Sequence, residues 1–398
     1  MSEAALRHNN PGNPNSPGTD AATAADARPL RIAFAGGGTG GHLMTGLTVA
    51  CRIAEQLPEA EIVFFGSQGG LEQRIVAQHG FRLEQIKTQK RKSGLWRLPL
   101  FALRSIGSLF SAHFAVGRFK PDVIVGLGGF ASAFPAISAS LRGIPIVLLE
   151  QNVLPGRANR LLSRWAESIE CQWEESVEYF KAGQPIQFSG NPVREEIFPG
   201  RREAQYEVFG LSAGRKTVLV TGGSQGALSV NELFVCGLST LEQMADSIQV
   251  IHCAGEFSVD MVKKAYAGST VPNYVCAYLE DMAAAYAVAD LVIARAGGTT
   301  IAELTAAGIP AVLIPLPTAA DDHQRLNAEA MAAHGAALVA HQRDLSSESL
   351  FEIIRECLGD DSKLQQMKSN ALAMSKPNAA VEIAERICRL ARRGGEDA

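Results

Sequence analysis

A chain of 398 residues is longer than one hydrophobic core usually serves, so two domains are expected. A hydrophobic fraction of 46% and a charged fraction of 20% exclude a disordered or fibrous chain, and the net charge of -4 weighs against a nucleic-acid binder. Seven cysteines without CxxC spacing give no zinc or disulfide framework and fit a reducing cytosol.

Residues 1–28 are rich in Asn, Pro, Gly, Thr and Ala and lack the basic-then-apolar order of a signal peptide, so a disordered leader is expected there. From Leu30 onward short apolar runs alternate with segments of helical period, the pattern of parallel sheets covered by helices. The first run, RIAFAG, leads into GGGTGGH at residues 36–42. This satisfies GxGxxG after a strand, but the next strand, EIVFFG, ends without the acid that would hold a dinucleotide ribose. A nicotinamide or flavin site is therefore a poor fit, whereas bare amides at a helix start still suit a diphosphate or a sugar hydroxyl. Between Glu84 and Asp122 there is no acid, and Lys87, Lys90, Arg91, Lys92, Arg97, Arg104, Arg118 and Lys120 accompany Trp96, Phe101, Ile106, Phe110 and Phe114. Over residues 87–119 this reads either as a core helix behind a basic loop or as a patch for an anionic membrane surface. No apolar run reaches the roughly 18–20 residues that cross a bilayer.

Runs DVIVGLG, IVLLEQN and IQFSGN complete the first half, and Pro192, Pro199 and Gly200 mark a boundary between Asn191 and Gly214. The second half opens again on a strand and a glycine loop, TVLVTGG into Gly222–Gly226, where Ser224 suits a phosphate oxygen. IQVIHCAG, YVCAYL, LVIARAG and AVLIPLP follow. Asp122-Val-Ile-Val with Gly143-Ile-Pro-Ile-Val-Leu in the first half answers Asp290-Leu-Val-Ile with Gly308-Ile-Pro-Ala-Val-Leu in the second, which fits two similar α/β domains. Arg194, near the boundary, suits either a diphosphate or solvent. Glu303, one turn into a helix that opens at a glycine turn, suits either the helix end or a ribose. Asp321-Asp322-His323-Gln324 follows a strand end, and the absence of a DxD pair makes a metal-dependent donor site unexpected. Val381, Ala384, Ile387 and Ala391 mark a closing helix over residues 377–393.

Taken in order, GGGTGGH (36–42), GLGGF (126–130), EQN (150–152), GNPVR (190–194), GGSQGA (222–227), DMAAAYAVAD (281–290), RAGGTTIAE (295–303) and DDHQ (321–324) resemble the MurG family. These are the UDP-N-acetylglucosamine:N-acetylmuramyl-(pentapeptide) pyrophosphoryl-undecaprenol N-acetylglucosamine transferases of peptidoglycan synthesis. The resemblance implies two Rossmann-like domains facing across a cleft, the GT-B architecture: residues 29–193, with helix 377–393 docking back, for the acceptor and membrane, and 194–376 for the UDP-sugar. It implies donor contacts at Thr39, Gly40, Gly41, Asn152, Arg194, Ser224, Leu279 and Gln324, a ribose ligand at Glu303, and a diphosphate and uracil surround of Gly298, Thr299, Thr300, Ile301 and Ala302. Leu149 and Phe130 stand where the family often has His and Tyr. The implied reaction moves N-acetylglucosamine from UDP-GlcNAc to a lipid-linked muramoyl-pentapeptide at the cytoplasmic face of the bacterial plasma membrane, without cofactor or metal. His42 and Glu150 are the candidates for the base. The competing expectations are a UDP-GlcNAc 2-epimerase and a non-catalytic nucleotide-sugar-binding subunit.

Overall fold

A computed structural model describes residues 28–37, 40–66, 70–86, 98–199, 205–223 and 226–396. It holds two parallel sheets. The first contains β1 (Arg31–Ala35), β2 (Glu61–Gly66), β3 (Arg82–Gln85), β4 (Val123–Gly126), β5 (Ile146–Glu150), β6 (Ser168–Cys171) and β7 (Ile186–Gln187), in the order β3-β2-β1-β4-β5-β6-β7. The second contains β8 (Lys216–Thr221), β9 (Ile248–Cys253), β10 (Asn273–Cys276), β11 (Leu291–Ala294), β12 (Ala311–Leu313) and β13 (Ala337–Val339), in the order β10-β9-β8-β11-β12-β13.

Both faces of each sheet are covered, which is why the strands read as unbroken apolar runs. Ile32 and Phe34 enter one core of the first domain while Ala33 and Ala35 enter the other. In the second domain Val218 and Val220 divide from Leu219 in the same way. The strand order reverses between β1 and β4, and again between β8 and β11, so each sheet parts its carboxyl-end loops there and opens a crevice. Both glycine loops follow the strands at these switch points.

Residues 1–27 of the expected leader lie outside the described residues; Arg28, the last residue assigned to it, forks its guanidinium onto Asp122 at 3.0 and 2.6 Å and belongs to the fold. The C-terminal helix Ala379–Glu396 returns to the first domain, placing Ile383, Ala384, Ile387, Cys388 and Ala391 in its core. Arg386 lies with Nε 2.9 Å from Oε1 of the buried Glu170, which also accepts from Ser168 Oγ at 2.6 Å and from Ser189 Oγ. The two chain crossings between domains meet at Gly190, whose φ is +81° and where an added Cβ would lie 2.4 Å from Lys376 Cβ. Only glycine satisfies both the left-handed backbone and that close approach.

Candidate functional site

On the first domain, β1 runs into Gly36 and Gly37, and the helix Gly40–Gln56 begins just beyond. Gly40, Gly41 and His42 thus form its first turn, whereas Thr39 lies outside the described residues. His42 is half-buried beside the loop that follows β4, and a Cβ on Gly128 would come within 3.3 Å of its Nε2. Burial, and secondarily the charge of His323 from the other domain, pulls the His42 imidazole from 6.5 to about 4. It is neutral at pH 7 and so carries a lone pair.

Glu150 is enclosed by its own turn. At the end of β5 it is 3% exposed; Oε1 accepts from Asn152 N at 3.0 Å and Asn152 Nδ2 at 3.1 Å. Its Oε2 accepts from Gly156 N and Asn159 Nδ2, both at 2.9 Å. Burial raises this carboxyl while the four hydrogen bonds oppose the rise. A carboxylate has about four acceptor sites, and all are committed to the turn between residues 150 and 159. Glu150 shapes that turn.

On the second domain, Ser224 lies outside the described residues, and the flanking loop is tight: a Cβ on Gly222 would meet Ala227 N at 2.2 Å. The loop after β11 delivers the helix Gly298–Ala307 with Thr299 and Thr300 in its first turn, both partly exposed. Ile301, Ala302 and Leu279 are buried, at 0%, 5% and 6% exposure, so a ligand at this edge meets their backbone rather than their side chains. Glu303 is more than a helix-end acid. Tyr286 donates to its Oε2 at 3.1 Å and Arg194 Nη2 stands 4.0 Å from its Oε1, which joins the boundary arginine to this acid. Burial raises the Glu303 carboxyl, and the Arg194 charge and the Tyr286 hydroxyl pull it back. Gln324 turns its Oε1 to Leu316 N at 2.9 Å.

The two sets meet across the domain boundary. A Cβ on Gly41 would lie 2.8 Å from Thr299 Oγ1, and one on Gly298 would lie 2.3 Å from the carbonyl oxygen of Gln151. Two helix N-termini, one from each domain, therefore converge, and each carries a positive dipole end. Asn327, which the sequence reading missed, ties the boundary together. It is fully buried; its Oδ1 accepts from Val153 N at 2.9 Å and its Nδ2 donates to Asn152 Oδ1 at 3.0 Å and Ala296 O at 3.2 Å. Its position one turn after Gln324, in an apolar stretch, was the available signal. Arg295 was also missed as an anchor. Its guanidinium is held by the carbonyls of Ile314 and Pro315 and by Ser229 and Gln342, which fixes the loop after β11 to the helix that follows the second glycine loop.

Residues 32–170 match the glycosyltransferase family 28 N-terminal domain and residues 217–386 match its C-terminal domain. The chain is 37% identical to the UDP-N-acetylglucosamine–N-acetylmuramyl-(pentapeptide) pyrophosphoryl-undecaprenol N-acetylglucosamine transferase of Thermodesulfovibrio yellowstonii, over 91% of this chain and 100% of that one. It is 37% identical to the enzyme of the same name from Myxococcus xanthus, over 89% and 92%. Among solved structures, MurG of Acinetobacter baumannii aligns with a TM-score of 0.72 at 27% identity, covering 91% of this chain and all of that one. A UDP-N-acetylglucosamine 2-epimerase described as putative, from Listeria monocytogenes, aligns at 0.67 with 12% identity, a likeness of fold alone.

Proposed function

The chain belongs to the MurG family of UDP-GlcNAc-dependent N-acetylglucosaminyltransferases of peptidoglycan synthesis, and from that premise we propose an inverting displacement on a lipid-linked muramoyl-pentapeptide. The muramoyl 4-hydroxyl attacks the anomeric carbon of UDP-GlcNAc, a β-1,4 bond forms, and UDP departs. The convergence of the helices Gly40–Gln56 and Gly298–Ala307 carries this reading, because it provides fixed positive dipole ends for a departing diphosphate. Arg194 adds a positive charge at the same edge, and Glu303 accepts from the ribose hydroxyls. Thr39 and Ser224 complete the donor contacts in this reading. His42, beside the acceptor-side loops, takes the hydroxyl proton as the bond forms; anionic substrates arriving nearby raise its imidazole toward the working range. Incubation with UDP-GlcNAc and the lipid-linked acceptor should release UDP and yield a β-linked disaccharide, with no turnover when the acceptor is withheld. UDP-ManNAc formed without acceptor would identify an epimerase instead, and no product under either condition would identify a silent binding subunit.

The acceptor is a lipid, and the enzyme is assigned in this reading to the cytoplasmic face of the plasma membrane. No helix among the described residues is long and apolar enough to cross a bilayer. Support for an interfacial patch comes from the helix Leu98–Phe119, on which Ile106, Phe110 and Phe114, four residues apart, are 53%, 60% and 73% exposed. The opposite side of that helix buries Ala112, Ala115 and Val116 in the core. Arg118 is engaged by Glu84 and leaves the set of lipid-facing cations. Lys87, Lys90, Arg91, Lys92 and Trp96 lie outside the described residues, as do the side chains of 98–104. Changing Ile106, Phe110 and Phe114 together to Ser should abolish flotation with anionic vesicles while turnover of a water-soluble acceptor stays within about twofold, since the apolar insertion and not the site is removed. Flotation as strong as that of the unaltered protein would return this stripe to another partner.

A further inference from the structure

Asp321 and Asp322 both have positive φ, 52° and 57°, consecutive left-handed residues that are not glycine. Such a conformation persists where surrounding contacts hold it. The two acids use different partners. Asp322 pairs with Arg325 of its own helix, His323–Ala333. Asp321 reaches across the cleft instead: Arg157 Nε donates to its Oδ2 at 2.9 Å and Arg157 Nη2 to its Oδ1, and Arg160 Nη2 donates to Oδ2 at 3.1 Å. Both arginines stand on the helix Arg157–Leu162 of the first domain. The start of that helix is anchored by Glu150 through Gly156 N and Asn159 Nδ2, so the turn that Glu150 shapes ends in a two-arginine clasp.

We infer that Asp321 is a positioning residue for the sugar donor: Arg157 and Arg160 hold its carboxylate across the domain boundary and thereby close the turn bearing Gln324 over the cleft. The inference rests on the reading of Gln324 as a donor contact. Asp321 itself touches no substrate. Its effect passes through the backbone between residues 321 and 324 and through the separation of the domains. The Arg157 side chain is 74% exposed, so the clasp is weakened by salt and can release product, unlike the part-buried, uncharged Asn152–Asn327 contact behind it.

Asparagine tolerates the left-handed conformation, so Asp321→Asn removes the charge while keeping the turn. Steady-state kinetics of the full chain with UDP-GlcNAc and a water-soluble acceptor should show KM for the donor raised about two- to fivefold with kcat changed less than twofold, the range expected for an ion pair at a surface. Raising the salt from low to high should increase the donor KM of the unaltered protein more than that of Asp321→Asn, in which only the diphosphate contacts remain to be screened. The triple variant Arg157→Gln, Arg160→Gln, Asp321→Asn should be no worse than Asp321→Asn alone, because one interaction is removed once. Small-angle scattering of unliganded Asp321→Asn should show a larger radius of gyration than the unaltered protein. An unchanged donor KM with an unchanged salt response would overturn the clasp, as would full additivity of the arginine and aspartate changes. Gln324→Ala separates the two layers of the argument. If it leaves donor KM untouched while Asp321→Asn raises it, the donor reading of Gln324 fails and the clasp stands.

Discussion

Replacing His42 by alanine should lower turnover by about 10²–10⁴ while donor affinity stays within a few-fold, the loss expected when a general base is removed from a fixed site. The geometry narrows the choice of base. Glu150 has both oxygens filled by Asn152, Gly156 and Asn159, and taking a proton there would break hydrogen bonds that hold the turn. His42 stands at the first turn of the helix Gly40–Gln56 with its imidazole drawn to about 4, mainly by burial. The acid limb of kcat/KM, which reports the free enzyme, should therefore fall near pH 4 rather than 6.5. The limb of kcat should lie higher, because bound anionic substrates favour the imidazolium. The depressed value also has a stability consequence with a definite sign. Between pH 6.5 and about 4 the unfolded chain binds the His42 proton and the folded chain does not, so stability declines as pH falls through that window. His42→Ala should flatten that part of the stability profile. Stopped-time assays and urea titrations at several pH values read both effects. Turnover reduced less than tenfold with donor binding intact would pass the proton to solvent.

Ten of the thirteen strands among the described residues are legible as apolar runs, most ending in glycine or a polar residue, because both faces of a parallel sheet are buried and the chain must turn sharply at the carboxyl edge. The three that escape have physical reasons. β3 (RLEQ) is a polar edge strand, β13 is three residues long, and β6 (SIEC) carries the buried Glu170, which reads as polar until Arg386 is found opposite it. The site divides in the same way. Glycine loops and helix starts are local, so Gly40, Gly41, His42 and Gly298–Glu303 were identified by motif. What joins them is not local: Asn152 and Asn327 are 175 positions apart, and Arg157 and Asp321 are 164 apart. Nothing in either segment alone specifies the partner. Glu150 is a different case: its donors are local, from Asn152, Gly156 and Asn159, but nothing in a strand-end acid within a family motif shows that all four converge on it.

The second large effect is expected far from the cleft. Arg386→Ala should lower the unfolding temperature of the first domain by roughly 6–12 °C in calorimetry. The estimate combines about 3 kcal/mol for breaking a buried pair with roughly 2–4 °C per kcal/mol in a domain of this size. Glu170 has a fully buried side chain and keeps only the Ser168 and Ser189 hydroxyls once the guanidinium is gone, so its charge is left without a counterion in a low-dielectric edge of the sheet. Arg386 is partly exposed, which places the expectation at the lower end of what buried pairs give. The loss should not be confined to β6. The helix Ala379–Glu396 contributes Ile383, Ile387 and Ala391 to the core against β4 and the helix Gly40–Gln56, so loosening its middle exposes part of that core and frees the strap that returns from the second domain. Glu170→Gln combined with Arg386→Met should recover more than half of the lost stability, because no charge then remains buried while the aliphatic contact of the helix is kept. A double variant no more stable than Arg386→Ala would make packing of the arginine stem, rather than the stranded carboxylate, the cause.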